Sequence, residues 1–239
     1  MSQDRRSELS SPPCLQGERE AEHAAFVPPQ LSLMNGLARV LGIAIREGGD
    51  ALNYEFLARL ARMFEPQHVD AGTVLVEEGQ PWSTVFFVQY GILKLFRQAP
   101  GGRIATHQFF TEGAVVWPLF VGSRSSRNTL YLDAATSGQV WAADFRSFRC
   151  ALKTEGLWNR FALALTEELA ELAIQREYRR QTMSASERYR LLIDEHDDLF
   201  RRLPGHQLAA WMGVDRATFS RIKSAHARQA NVENGTGVS

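Results

Sequence analysis

A short helical pattern near residue 220 concentrates side chains that can donate hydrogen bonds. Arg216, Ser220, Arg221 and Lys223 all follow Asp215 within eight positions. Arginine can present two N–H groups to the edge of a guanine, and lysine and serine can reach phosphate oxygens. These residue types on so short a helix favour contact with a nucleic acid; the alternative is a basic face that is merely solvated.

Two helices and a tight turn are needed to position those donors. Gly213 is predicted to end a first helix, because glycine adopts the left-handed conformation at low energetic cost. Asp215 is predicted to cap the second helix by accepting N–H bonds from its first turn. Both helices also show an apolar face at helical spacing. The predicted buried positions are Leu208, Ala209, Met212, Phe219 and Ile222.

The charge distribution points the same way. The formal net charge of the 239-residue chain is zero, so the overall charge does not indicate a nucleic-acid partner. Residues 199–228, however, hold six Lys and Arg against one Asp, whereas residues 184–198 hold two Arg against five acidic residues. A locally basic segment of this kind is typical of an element that binds nucleic acid.

Composition excludes several other classes of protein. Cys14 and Cys150 are too few and too far apart for a disulfide framework, a zinc site or a four-cysteine iron–sulfur cluster. No apolar run approaches the roughly 18 residues of a membrane span. The first residues have mixed charge and no apolar signal core, which argues against secretion. We therefore expect a cytoplasmic protein with no membrane partner, no metal and no cofactor.

The rest of the chain divides by its hydropathy pattern. Residues 1–30 are rich in Ser, Pro, Gln and charge, and are predicted to be a disordered lead. A helical pattern from about residue 31 to 64 is divided by a break at Gly48-Gly49. Beyond it, "GTVLVEEGQPWSTVFFVQYGILKLFRQ" alternates short apolar runs with Gly and Pro, which predicts strands of an all-β sandwich or roll ending near Asp144.

A long helix is predicted over 155–182, because no proline interrupts this stretch. Its apolar stripe is larger than a small β-roll obviously needs, so we expect it to form the seam of a homodimer. An ordinary core helix is the alternative. The stripe consists of Leu157, Phe161, Leu165, Leu169 and Leu172.

A further helix is predicted to open with a capping box, Ser184-x-x-Glu187. The predicted organisation is a lead over 1–30, a β-roll with flanking helices over 31–154, a dimerisation helix over 155–182, a helix-turn-helix domain over 183–228 and a disordered tail over 229–239.

Taken in this order, the parts resemble the Crp/Fnr transcription regulators, which carry a sensor domain like that of cyclic-nucleotide-binding proteins. Gly79, Gly91 and the intervening "VFFV" match the β-roll signature of that family. The resemblance covers roughly residues 50–225. The positions that match the family's helix-turn-helix are Ala209, Gly213, Phe219 and Ile222.

The resemblance implies an α+β fold: an N-terminal, jelly-roll-like β-roll sensor domain, a long dimerisation helix and a C-terminal helix-turn-helix domain. It implies a non-enzymatic, homodimeric regulator that binds a palindromic operator in double-stranded DNA, with RNA polymerase as a further partner. Arg216 and Arg221 would read bases, and Ala217 stands where many members carry a glutamate. The residues placed for phosphate contact are Thr218, Ser220, Lys223 and His206.

Two departures from the family pattern stand out. Only "DDLFRRLPG" separates the capped helix from the helix-turn-helix, so the family's two-stranded wing is shortened or missing. Trp117 and Pro118 fall near the Gly-Glu pair that holds a cyclic nucleotide, so cAMP is not expected to act in the usual way. A divergent pocket for a cyclic nucleotide or another small anion, an unidentified effector, stays open. Its candidate residues are Arg124, Ser126, Arg127 and Asn128.

Two classes other than a DNA-binding regulator are open from sequence alone. A β-roll can be a metal enzyme of the cupin type, which needs several converging histidines. Only His68 and His107 lie in the predicted roll. A protein-interaction module without DNA binding leaves the basic helix after Asp215 unexplained.

Overall fold

The computed structural model describes residues 28–43 and 51–235 of the chain. Most of the predicted lead over 1–30, the Gly48-Gly49 break and the last residues of the predicted tail lie outside these ranges. Within them the α+β prediction is confirmed, because an antiparallel β-sheet domain is followed by a helical C-terminal region. None of the described helices has the length and apolar character needed to cross a membrane.

Among the described residues, two helices precede the sheets, α1 (Pro28–Leu41) and α2 (Ala51–Ala61). Leu33 and Leu37 lie one helical turn apart on α1 and are fully buried, as is Leu57 of α2. This spacing gives each helix one apolar face, and the two faces pack on each other and on the outer side of a sheet.

Within the described residues, eight strands form two four-stranded antiparallel sheets. One sheet has the strand order β1-β8-β3-β6 and the other has the order β2-β7-β4-β5. This is the predicted jelly-roll-like β-roll. The strands are β1 (Glu65–Val69), β2 (Val74–Val76), β3 (Thr84–Tyr90), β4 (Leu93–Gln98), β5 (Ile104–Phe110), β6 (Val115–Val116), β7 (Tyr131–Ala134) and β8 (Gly138–Asp144).

Strand β3 is buried on both faces. Val85 and Phe87 pack against the helices, whereas Phe86 and Val88 point into the core between the two sheets. The sheet that contains β3 is therefore the middle layer of the sensor domain. Burial on both sides explains why the sequence here is a continuous apolar run and not an alternating one.

Five helices follow the sheets: α3 (Phe145–Thr154), α4 (Trp158–Thr182), α5 (Ala185–Arg202), α6 (Gly205–Met212) and α7 (Arg216–Gly235). The predicted capping box opens α5. The Ser184 amide donates to Glu187 Oε2 at 2.8 Å, and the Glu187 amide donates to Ser184 Oγ at 3.3 Å.

The boundaries of the C-terminal region differ from those predicted in two respects. Only Leu203 and Pro204 separate α5 from α6, and no strand follows α4 in the described part of the chain, so the family's wing is missing there. Helix α7 continues to Gly235, so the tail predicted to be disordered from residue 229 is helical over its first part.

The predicted apolar stripe of α4 faces the β-roll domain of the same chain. Phe161 is fully buried and Leu165 is 7% exposed, in one core with residues of α1 and α3. The prediction that this stripe is a dimer seam is wrong for these two residues. Sequence could not choose between the faces because α4 carries apolar residues on both. The exposed ones are Leu163, Ile174 and Tyr178, at 58%, 70% and 61%.

Candidate nucleic-acid interface and sensor cavity

The turn between α6 and α7 forms as its residue types predict. Gly213 ends α6 in the left-handed conformation with φ of 71°. Asp215 caps α7, because the Thr218 amide donates to Asp215 Oδ1 at 2.8 Å and the Thr218 hydroxyl donates to Oδ2 at 2.7 Å. The backbone bond from Thr218, followed by the hydroxyl bond, lowers the pKa of Asp215. Asp215 is therefore negatively charged, and a negative charge at the N-terminus of a helix interacts favourably with the helix dipole.

A small apolar core fixes α7 against α5 and α6. Phe219 is 4% exposed and meets the ring of Tyr189 edge-on at 5.6 Å between centroids. Four of the five predicted buried positions, Leu208, Ala209, Met212 and Phe219, are buried in this core, and Ile222 is half-buried at its edge. The outward direction of α7 is therefore determined by packing.

The outward side of α7 carries the predicted donors. Arg216, Ser220 and Lys223 are exposed and lie at positions i, i+4 and i+7, so they line one helix face. Arg221 is also exposed, about 140° around the helix from Arg216 by the helical repeat. Ala217 is exposed on the surface of α7 between Arg216 and Arg221, and its small side chain adds no bulk there.

Two of the residues assigned to phosphate contact have different surroundings. Thr218 is half-buried, and its hydroxyl both donates to Asp215 and accepts from Arg221 Nη2 at 3.0 Å. The Thr218 hydroxyl is therefore used in hydrogen bonds within the first turns of α7. His206 is exposed in the first turn of α6.

Not all of the basic residues counted in the sequence are available to a partner. Arg201 pairs with Asp197 at 2.9 Å, and Arg202 pairs with Asp198 at 2.8 Å and with Glu112 at 2.6 Å. In the described part of the chain, by contrast, Arg216, Arg221 and Lys223 form no ion pair. Of the six basic residues in 199–228, those without a carboxylate partner therefore all lie on α7.

The end of strand β5 docks against the helix-turn-helix. Phe109 meets the ring of Trp211 on α6 edge-on at 5.3 Å between centroids. Glu112 accepts from Arg202 Nη1 at 2.9 Å and Nη2 at 2.6 Å, and from the Gly91 amide at 2.8 Å. The hydrogen bonds from Arg202 are the main reason that the pKa of Glu112 lies below its ordinary value. The β-roll and the helix-turn-helix unit are thus joined by an aromatic contact and an ion pair.

This docking contact was not predicted from the sequence. Glu112 and Arg202 are 90 residues apart, so no local pattern joins them. Trp211 gave a usable signal, because a large aromatic residue beside the small Ala209 and Ala210 of α6 needs something to pack against. Its neighbour on the other side is His196, at 5.3 Å between ring centroids, where α5 is kinked.

A cavity of about 370 Å³ lies between the β-roll and α4. Its wall from the roll includes Trp82, Leu130 and the segment from Gln108 to Trp117, and its wall from α4 includes Leu169. None of the residues predicted to bind a small anion, Arg124, Ser126, Arg127 and Asn128, lines it. The cavity and the predicted anion site are therefore different places.

Arg124 is used inside the sensor domain. Its Nε donates to the carbonyl of Pro118 at 2.7 Å, and its Nη2 donates to the carbonyl of Leu119 at 2.9 Å. Its guanidinium also lies over the rings of Trp117 and Phe145, 5.7 and 5.1 Å from their centroids. Partial burial lowers its pKa. Two N–H groups of this side chain thus hold its own loop together.

Asn128 is also committed to its own loop. It is 2% exposed, donates through Nδ2 to the carbonyls of Glu77 and Leu130 at 2.9 and 3.0 Å, and accepts from the Leu130 amide. Ser126 and Arg127 are exposed. The four candidate residues thus form no common pocket, and their role in ligand binding stays a prediction.

Trp117 and Pro118 occupy the segment aligned with the Gly-Glu pair of cyclic-nucleotide binders. Trp117 is 5% exposed and meets Trp158 and Phe161 edge-on, each at 5.4 Å between centroids. An indole that fills this position excludes a polar ring system from it. Pro118 has neither a carboxylate nor an amide hydrogen to offer a ribose.

Histidine geometry bears on the alternative of a metal enzyme. His107 is half-buried, and burial, followed by the charges of Arg97 and Arg176, lowers its pKa. His68 is exposed and lies 3.8 Å from Asp70. Among the described residues, no group of three or more His, Cys, Asp or Glu side chains is placed to hold a metal ion.

Residues 66–155 match the family model of the cyclic nucleotide-binding domain. Among solved structures, FixK2 from Bradyrhizobium japonicum is 18% identical and aligns over 70% of this chain and 86% of its own, with a TM-score of 0.62. The c-di-GMP responsive global regulator CLP of Xanthomonas campestris is 15% identical over 74% of this chain and 93% of its own, with a TM-score of 0.58.

A structure from Eubacterium rectale assigned to the crp/fnr family of transcriptional regulators has 13% identity and a TM-score of 0.60, over 77% of this chain and 89% of its own. No curated protein matches the chain in sequence. At these identities the structural neighbours show the fold, and the family model identifies the β-roll as a cyclic nucleotide-binding domain. The chain thus has a cyclic nucleotide-binding domain over these residues, joined through a long helix to a helical C-terminal region, and its fold is similar to that of these neighbours.

Proposed function

We propose that this protein is a homodimeric, sequence-specific DNA-binding transcription regulator of the Crp/Fnr type. The observation that carries the proposal is the outward face of α7. Arg216, Ser220 and Lys223 line it, are exposed, and follow a capped N-terminus fixed by a buried core. The second helix of a helix-turn-helix enters the major groove with its N-terminal residues leading. Arg216, the first residue of α7, would therefore meet the DNA first.

The roles on α7 follow from side-chain chemistry. Arg216 and Arg221 can each donate two N–H groups to O6 and N7 of a guanine, so we assign base readout to them. Ser220, Lys223 and the exposed His206 are assigned to phosphate oxygens, which position the protein without reading sequence.

Dimerisation is assigned to the outward face of α4. Leu163 and Ile174 are exposed there and, by the helical repeat, lie on the opposite side from Phe161 and Leu165, which pack on the sensor domain. Large apolar side chains exposed along one helix favour burial against a second copy. Two copies related by a two-fold axis would present two α7 helices to half-sites of a palindrome.

The sensor domain is assigned a signal other than cAMP. Trp117 fills the segment where the cyclic-nucleotide binders of the family carry their Gly-Glu pair, and Arg124 is bonded to its own loop. A cyclic phosphate would find no ribose acceptor there, and the guanidinium of Arg124 is bonded to the carbonyls of its own loop.

Selection of binding sites from a random duplex library by the full chain tests the proposal. We expect enrichment of a two-fold symmetric sequence with half-sites about one helical turn apart, bound by a protein that sediments as a dimer. Affinity for the enriched site should not require cAMP. Failure to enrich any sequence, or enrichment of an asymmetric site by a monomer, would overturn the proposal.

A further inference from the structure

Two half-buried arginines of the sensor domain lie close together on one group of aromatic rings. The Arg124 guanidinium lies over the ring of Phe145, 5.1 Å from its centroid, and the Arg149 guanidinium lies over the ring of Trp158 at 4.9 Å. The centroids of these two rings are 5.9 Å apart. Burial, followed by the charge of Arg149, lowers the pKa of Arg124. Two like charges thus repel each other here, and an anion between them would relieve the repulsion.

Arg149 lacks the polar partners that a half-buried guanidinium usually has. Its Nε is buried and has no hydrogen-bond partner within the described residues. The side chain also forms no ion pair with a described carboxylate. Because Nε is covered, an anion from solvent can approach Arg149 only at its terminal nitrogens. These groups are available to a ligand, and a charge-assisted hydrogen bond to them would be strong.

The carboxylates at the two ends of α3 are used elsewhere. Asp144 caps the helix by accepting from the Ser147 amide at 2.8 Å and from the Ser147 hydroxyl at 2.7 Å. Glu155, just beyond the helix, pairs with Arg59. Helix α3 itself contains no acidic residue, and its charged residues are Arg146, Arg149 and Lys153. The positive charge of this surface is therefore not compensated by the neighbouring carboxylates.

Arg124 keeps donors for a ligand although its loop uses part of its guanidinium. Its Nε and Nη2 donate to the carbonyls of Pro118 and Leu119. Its Nη1 takes part in neither bond and carries N–H groups of its own. An anion held between Nη1 of Arg124 and the terminal nitrogens of Arg149 would therefore receive hydrogen bonds from both side chains without breaking those of the loop.

This pair of arginines is separate from the cavity between the β-roll and α4. Neither arginine lines that cavity, and neither do Phe145 and Trp158. It also differs from the anion site predicted from the sequence, because Arg149 was not part of that prediction and Asn128 is used in its own loop. The two guanidinium groups thus define a different surface of the sensor domain.

We propose that Arg124 and Arg149 together bind a phosphate group that carries two negative charges, as free inorganic phosphate or as the terminal phosphate of a small molecule. The charge of such a dianion matches that of two guanidinium groups, and its unesterified oxygens offer acceptors to both. A phosphodiester has one negative charge and fewer free oxygens. The bound phosphate joins the Gly122–Arg124 turn to α3. This site does not depend on DNA binding by α7.

Three phosphates that differ in esterification test the ligand class on the full chain without DNA. Inorganic phosphate and methyl phosphate are mainly dianions at about pH 8, whereas dimethyl phosphate is a monoanion with two blocked oxygens. We expect the two dianions to bind with dissociation constants in about the millimolar range, measured by phosphorus NMR at constant ionic strength. Dimethyl phosphate should bind at least about ten-fold more weakly, because it loses charge-assisted hydrogen bonds.

Variants of α3 locate the bound phosphate. Arg149→Gln breaks no hydrogen bond within the described residues, so it should fold and should weaken phosphate binding by at least about ten-fold. Arg149→Lys keeps the charge but not the planar fork, and should give an intermediate affinity. Arg146→Gln removes the same charge at an exposed position one turn away, and should reduce the affinity by no more than about two-fold. Melting in chloride alone verifies that each variant is folded.

Each possible result bears on the site. Binding of both dianions identifies a terminal phosphate as the ligand, and binding of inorganic phosphate alone identifies the free ion. Absence of binding at concentrations well above millimolar, or equal affinities of the wild type and Arg149→Gln, would overturn the proposal. Equal binding of dimethyl phosphate would overturn the dianion as the ligand class. Selection of operator sites is a separate measurement, so failure here leaves the proposed function standing.

Discussion

The sensor domain and the helix-turn-helix unit formed by α6 and α7 use arginine in opposite ways. Arg124 of the sensor turns its guanidinium inward, to the carbonyls of Pro118 and Leu119. Arg216 and Arg221 of α7 point outward and form no ion pair within the described residues. A donor satisfied by its own chain stabilises the fold, whereas one that faces water is available to a partner. This difference supports the proposal that α7 binds the DNA phosphates and bases.

Helix α4 shows the same division in apolar form. Phe161 and Leu165 are buried against the sensor domain, while Leu163 and Ile174 are exposed. One face thus completes the fold of a single chain, and the other face is exposed among the residues that the structure describes. In both regions, residue type alone does not decide whether a side chain stabilises the fold or is available to a partner. The direction in which packing turns the side chain decides it.

The largest effect is expected from charge on the outward face of α4. Leu163→Glu combined with Ile174→Glu should leave the fold intact, because both positions are exposed, but should give monomers. Loss of the second half-site should weaken operator binding by about 10²–10⁴-fold. Sedimentation and fluorescence anisotropy measure both effects, with Gln175→Glu as the control on the same helix. A double variant that still sediments as a dimer would contradict the assignment.

Arg124→Ala should lower stability where Arg127→Ala does not. Removing the Arg124 guanidinium leaves two carbonyls without their donor and should reduce the free energy of unfolding by about 1–3 kcal/mol. Arg127 is exposed three residues further on, so its removal should change stability by less than about 0.5 kcal/mol. Urea unfolding compares them. Equal stability of the two variants would show that the hydrogen bonds of Arg124 do not stabilise the fold.

Glu112→Gln should loosen the contact between the sensor domain and α5. The pKa of Glu112 lies below its ordinary 4.5, mainly because Arg202 donates to it. The contribution of the pair is therefore present above pH 4.5 and is lost as pH falls through the lowered pKa. Because both side chains are partly exposed, we expect less than about 1 kcal/mol.

Hydrogen exchange of α6 amides at pH 7 and at pH 3 measures this docking. The wild type should lose protection on acidification, and Glu112→Gln should show reduced protection at pH 7 with a smaller change. Glu155→Gln removes the ion pair with Arg59 inside the sensor domain and should leave α6 unaffected. Identical pH profiles for the wild type and Glu112→Gln would show that Glu112 does not contribute to the docking of α5 and α6 on the sensor domain.

The smallest effect is expected from Lys223→Ala. Removing one ammonium group that binds phosphate should weaken binding to all sequences alike and reduce the slope of log affinity against log salt by about 0.9 per DNA phosphate. Arg201→Ala is the matched control, because Arg201 is exposed but paired with Asp197. Weakening confined to the selected operator would instead make Lys223 a base reader.

Sequence predicted best what depends on near neighbours. The Gly213 turn, the Asp215 cap and the Ser184–Glu187 box are confirmed, because their bonds join groups three or four residues apart. The β-roll was also predictable, since Gly and Pro divide its apolar runs into short strands.

What sequence could not predict depends on groups far apart in the chain. Choosing the inward face of α4 requires knowing where α1 and α3 lie, and both faces of α4 carry apolar residues. The pair of Glu112 with Arg202 forms only when the helix-turn-helix docks on β5. Arg124 required the conformation of its loop, whose 3₁₀ turn at Gly122–Arg124 brings the guanidinium back to Pro118.

A double-mutant cycle between α7 and the operator tests base readout by Arg216 most directly. Arg216→Ala and the wild type are each measured against the selected operator with guanines replaced singly by 7-deazaguanine, which lacks the N7 acceptor. At one guanine of each half-site the replacement should cost the wild type about 1–3 kcal/mol and cost Arg216→Ala almost nothing. Equal losses for both proteins at every guanine would contradict the placement of Arg216 in the major groove.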